Sequence, residues 1–148
     1  MRKFIIDAGI ILSGFYANAQ ILTPVKWAYA SKRLNKNEAV ILVKATIEKG
    51  WHIYSQNVAD GGPAKTALVF TKSDDYNLVN KPTEPQPLKK YEKAFDMDVT
   101  YFENTVVFQQ KVKLVKDQPI INGTVSYMAC SNKECLPPED VTFSVSVK

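Results

Sequence analysis

Apolar and polar residues trade places one by one through most of this chain beyond residue 20, and that period of two limits the fold more than any other feature. In stretch 38–48, Ala39, Ile41, Val43, Ala45 and Ile47 fall on one face and Lys44, Thr46 and Glu48 on the other. In 106–114, Val106, Phe108, Val112 and Leu114 alternate with Lys111 and Lys113; in 141–147, Val141, Phe143, Val145 and Val147 alternate with Thr142, Ser144 and Ser146. Side chains of a strand point to opposite faces in turn, so each stretch reads as a half-buried β-strand. Further strands are expected at 25–34, 51–56, 65–71, 76–80, 100–102 and 120–129. Asn35-Lys36-Asn37, Lys49-Gly50, Asp60-Gly61-Gly62-Pro63, Glu103-Asn104 and the segment 116–119 supply turns between them. Pro82, Pro85 and Pro87 argue against regular pairing and mark an edge crossing between sheets. Stretch 89–98 is expected to form a helical turn or an irregular loop. About eight short strands separated by turn signals predict an all-β fold, an immunoglobulin-like antiparallel β-sandwich.

The chain's 148 residues suffice for one domain, placed at 20–148, and a hydrophobic fraction of 45% is ample for a packed core. The net charge of +4 is spread without a Lys/Arg block, so no nucleic-acid partner is expected. Residues 1–19 read as a signal peptide. Met1-Arg2-Lys3 is a positive start, an apolar run follows, and Ala17-Asn18-Ala19 has the small-x-small form that signal peptidase cuts; Asp7 interrupts the run. An exported, periplasmic protein follows from this reading, and a monomer is expected.

Export changes how the two cysteines read. Cys130 and Cys135 are the only ones in the chain, separated by four residues and followed by Leu136-Pro137-Pro138. Outside the cytosol such a pair defaults to a disulfide. Two cysteines and a lone His52 fall short of a zinc ligand set, and no cofactor is expected. Closing so short a loop removes only about 2 kcal/mol of unfolded-state entropy. Thiol–disulfide exchange needs an exposed thiolate and a second thiol nearby, which a local pair also supplies. Lys133 favours a thiolate and Glu134 opposes it. On the residues alone, a redox pair and a structural clip both stand.

The cysteine segment CSNKECLPPEDVTFSV, preceded by GTVSYMA, resembles that of the N-terminal periplasmic domain of DsbD, a transmembrane thiol:disulfide interchange reductase. That family shows a Cys, a short polar spacer, a second Cys, an aromatic or aliphatic residue, then Pro-Pro-Glu. Residues 49–54, Lys-Gly-Trp-His-Ile-Tyr, resemble its Gly-aromatic-x-x-Tyr strand, and the stretch from Phe95 to Glu103 resembles its cap loop. Two features depart from the pattern: the spacer has four residues where the best-known members have five, and Lys93 and Ala94 stand where acidic residues flank the cap Phe.

The resemblance implies an immunoglobulin-like sandwich whose cysteines cycle between dithiol and disulfide. Cys135 would attack partner disulfides and Cys130 would resolve them. Phe95 would cover the pair, with Tyr54 and Tyr101 lining the site. Electrons would come from a thioredoxin-like or membrane-embedded thiol reductant and pass to oxidised periplasmic proteins. The family's membrane channel and thioredoxin-like domain have no counterpart in this sequence, so a stand-alone version is expected. Two other readings carry different tests: a non-enzymatic binding module with a structural disulfide, and copper handling through Cys130, Cys135 and Met128.

Overall fold

The computed structural model describes residues 20–148, and the expected signal peptide at 1–19 lies outside them. Eleven strands are present and no helix occurs among the described residues. One layer is a four-stranded sheet in the order β1 (Val25–Asn35), β2 (Glu38–Ile47), β8 (Thr105–Leu114), β5 (Tyr76–Thr83). The opposite layer is made of two sheets. One runs β11 (Glu139–Ser146), β9 (Ile120–Tyr127), β4 (Ala67–Phe70), and the other β10 (Ala129–Ser131), β3 (Trp51–Tyr54), β7 (Met97–Phe102), β6 (Leu88–Glu92). All pairings are antiparallel. The architecture is the expected immunoglobulin-like sandwich.

The alternating faces do what their chemistry dictates. Ala39, Ile41, Val43 and Ala45 of β2 are fully buried, as are Phe108 and Val112 of β8. Across the interior they meet Ile121 and Val125 of β9 and Phe143 and Val145 of β11. Tyr29 stacks on Phe143 with centroids 4.7 Å apart, and Trp27 meets Tyr127 edge-on at 5.2 Å, which closes the sandwich along β1.

Three expectations need correction. Stretch 89–98 is a β-hairpin, with β6 and β7 paired from Leu88↔Tyr101 to Glu92↔Met97. Lys89 and Lys90 take successive positions on an edge strand, one exposed and one partly covered, so charge on both faces hid the period of two. Pro82 does not end β5. The strand runs through it to Thr83, with a register break after Val79 and Asn80 in the left-handed region at φ 61°. As the outer strand of its sheet, β5 tolerates the missing donor, and the proline run then crosses between layers as expected. Stretch 120–129 is not one strand. β9 ends at Tyr127, and the chain passes through Met128 into β10, which belongs to a different sheet. With β6 and β10 added, the nine stretches expected as strands become eleven.

Candidate functional site

The sheet β10-β3-β7-β6 carries an apolar cluster on each face, and this creates the site. Ile53, Phe102 and Ala129 point into the main core. The opposite face carries a second, smaller apolar cluster of Tyr54, Val99, Met128 and Cys130, with Val58, Phe95, Met97 and Tyr101 packed against it. The register explains the grouping. Cys130 lies opposite His52, Tyr54 opposite Tyr101, and Lys90 opposite Val99, and residues paired directly across strands share a face.

Cys130 and Cys135 are joined in a disulfide with an S–S distance of 2.07 Å and Cα atoms 4.0 Å apart. They face each other across a tight hairpin. Ser131 N–H donates to the Glu134 carbonyl at 2.7 Å, and Leu136 N–H to the Ala129 carbonyl at 2.9 Å. The cysteines therefore occupy a non-hydrogen-bonded pair between two bonded ones, the position where antiparallel strands bring side chains closest. The Ser131 hydroxyl organises the turn by accepting from Lys133 N–H and Glu134 N–H, each at 3.2 Å. The two sulfurs differ sharply in environment. Cys130 is 1% exposed, whereas Cys135 sits on the solvent side with Lys133 and Glu134.

Phe95 is half-buried and comes from the turn between β6 and β7. The turn is shaped by Phe95 N–H donating to the Glu92 carbonyl at 3.1 Å and by Asp96 in the left-handed region at φ 52°. The Tyr91 hydroxyl donates to Asp96 Oδ1 across it. On the far side, loop 55–63 brings Val58 against the cluster. Gly62 permits this approach: a Cβ there would stand 2.9 Å from Val58 Cγ1 and 3.2 Å from Met97 Sδ. The Glu84 carboxylate ties down the loop's start, accepting from Ser55 Oγ, from Gln56 N–H at 2.9 Å and from Asn57 Nδ2 at 3.2 Å.

Cys130, Tyr54, Phe95 and Tyr101 are thus brought together in one cluster, with Met128 beside them and Cys135 on the outer side of the bridge. Tyr54 is fully buried, and burial followed by the Glu92 charge pushes its phenol up to about 12. His52, on β3, is 6% exposed. Its Nε2 lies 3.1 Å from the Tyr54 hydroxyl and 3.3 Å from Lys90 Nζ. Burial first, and the Lys90 charge second, push its pKa down to about 4, against an opposing pull from Glu92. Lys90 also sits 4.8 Å from the centre of the Tyr101 ring and 3.3 Å from Glu92. Nothing in the sequence singled out Lys90. The signal for His52 was the unbroken run Trp51-His52-Ile53-Tyr54, which suits a strand buried on both faces. Among the described residues, no three His, Cys, Asp or Glu side chains converge as a metal site would require.

The family model described as "Thiol:disulfide interchange protein DsbD, N-terminal" matches residues 18–147. Among solved structures, the chain is similar to the reduced DsbD N-terminal domain of Neisseria meningitidis, with 17% identity, a TM-score of 0.52, and coverage of 80% of this chain and 84% of that one. It is also similar to the N-terminal periplasmic domain of ScsB from Proteus mirabilis, at 20% identity and a TM-score of 0.57, covering 81% of this chain and 44% of that one. A third likeness is to the structure of the complex between the DsbD N-terminal and PilB N-terminal domains of Neisseria meningitidis, at 17% identity and a TM-score of 0.55, covering 84% of this chain and 86% of that one. Comparison with curated proteins finds no match.

Proposed function

Because the chain belongs to the family of DsbD N-terminal domains, thiol:disulfide interchange modules, we propose that it works in the periplasm as a protein-disulfide reductase, relaying electrons through Cys130 and Cys135. The observation that carries this reading is the asymmetry of the pair: one sulfur buried in an apolar cluster, the other open to solvent. In the loading step, a thiolate of a thioredoxin-like or membrane-embedded reductant attacks Cys135 Sγ. A bond forms between the two sulfurs, the Cys130–Cys135 bond breaks, and the electron pair leaves on Cys130 as a thiolate. The reductant's second thiolate then attacks its own sulfur in the mixed disulfide and frees Cys135. In delivery the steps reverse. Cys135 attacks the disulfide of an oxidised periplasmic protein, and Cys130 resolves the intermediate, leaving the pair oxidised and the substrate a dithiol.

The surroundings fit these roles. Phe95 screens the bridge until a docking partner displaces the turn that carries it. Tyr54 and Tyr101 hold the buried sulfur in a fixed, dry wall. The solved complex of a DsbD N-terminal domain with a PilB N-terminal domain supports partners of protein size, and the periplasmic ScsB domain supports the compartment. In this reading residues 1–19 direct export.

Trapping tests the assignment. Cys130→Ser leaves Cys135 without its resolving partner, so a mixed disulfide with cellular proteins should accumulate. Cys135→Ser leaves only the buried thiol and should trap little. Equal trapping by both variants, or none by either, removes the relay.

A further inference from the structure

The buried polar groups on the sulfur-bearing face play no part in the exchange steps above. His52 stands directly across from Cys130 in the register of β3 and β10. Lys90 reaches over the Tyr101 ring from β6 and sets its ammonium 3.3 Å from His52 Nε2. An ammonium can only donate, so this contact makes Nε2 an acceptor and leaves the ring proton on Nδ1. The Lys90 side chain is only 28% exposed, so its charge acts through partly desolvated surroundings.

We propose that Lys90, seated on His52, is a positioning residue that sets the ionisation of Cys130 when the disulfide opens. The proposal rests on the exchange reading above and adds to it the origin of the leaving group's stability. When Cys135 is attacked, the electron pair departs onto Cys130, in the middle of an apolar cluster. Burial opposes a thiolate there, while a nearby cation favours it. The lower the pKa of the leaving thiol, the faster it leaves.

The charged and titratable groups on this face of the sheet come from three strands. β3 supplies His52 and Tyr54, β6 supplies Lys90 and Glu92, and β7 supplies Tyr101. His52 is neutral at pH 7 given its lowered pKa, and Tyr54 is neutral given its raised one. Glu92 pairs with Lys90 at 3.3 Å and partly cancels it. Of these groups Lys90 alone carries a positive charge at pH 7, trimmed by Glu92. Lys133 and Glu134 lie on the exposed hairpin tip beside Cys135 rather than on this face.

The test uses the full chain with Cys135→Ser, in which Cys130 is the sole thiol, and follows thiolate absorbance against pH. Replacing Lys90 by Met should raise the midpoint by about one pH unit, a tenfold loss of ionisation at fixed pH. Lys90→Gln serves equally if the Met variant folds poorly. Lys90→Arg should restore the midpoint to within about twofold of the parent, because charge rather than packing is at issue. Glu92→Gln should move it the other way. An unchanged midpoint in both neutral variants, or an Arg variant that behaves like Met, overturns the proposal. The titration needs no partner protein. A shifted midpoint with failed trapping therefore leaves this inference standing and removes the relay, and the converse result does the reverse.

Discussion

At the scale of single residues, His52 couples folding to pH. Its folded pKa of about 4 lies below the ordinary value of 6.5. The unfolded chain therefore takes up a proton as pH falls below 6.5, while the folded chain resists until about pH 4. Stability is full above that window and is lost on descending through it, by roughly 3 kcal/mol for a single histidine shifted this far. Denaturant titrations at intervals from pH 7 to pH 4 should show this loss, and His52→Gln should remove most of it. An equally steep profile in the variant would place the coupling on other groups. The sequence pointed to Cys130 and Cys135 through cysteine chemistry, and to Tyr54, Phe95 and Tyr101 only through the resemblance of residues 49–54 and 95–103 to the DsbD N-terminal family. It did not point to Lys90, which acquires its place only through the register of β6, β7 and β3 and is one of 19 Lys and Arg residues in the chain.

Among the elements, the β6–β7 hairpin is the one whose shape was hidden in the sequence and whose position matters most to the site. Its turn depends on Asp96 at φ 52°, a conformation that costs most side chains about 1 kcal/mol. Asp96→Ala keeps that cost and also removes the bond from Tyr91. The variant should lose about 1 kcal/mol and show faster amide exchange along β7. Phe95→Ala should leave global stability little changed, because Phe95 lies at the margin of the smaller cluster. It should instead speed reduction of the disulfide by a small thiol severalfold; an unchanged rate would show that Phe95 does not screen the bridge. β10 was hidden for another reason. The run Tyr127-Met128-Ala129-Cys130 is buried throughout, so the alternation that marks half-buried strands is absent where the chain changes sheets.

Across the whole molecule, the sandwich stands on its apolar core and not on its disulfide. Phe108 is fully buried among β1, β2 and β7 residues, and Phe108→Ala should cost about 3–5 kcal/mol. Opening the Cys130–Cys135 loop should cost only about 2 kcal/mol and leave a folded protein, since the two residues are just five apart in sequence. That difference was readable from the period of two in 38–48 and 106–114 and from the closeness of the cysteines. The second apolar face was not, because it depends on which strands the fold sets side by side. A molecule that folds with its bridge open is free to use the bridge. The central claim is that this disulfide is a redox centre and not a staple, and its reduction potential, equilibrated against glutathione or thioredoxin buffers, is the most direct measure. A value above about −300 mV, within reach of physiological thiol partners, is the predicted result. A value well below that, in the range of inert structural bridges, would contradict the account.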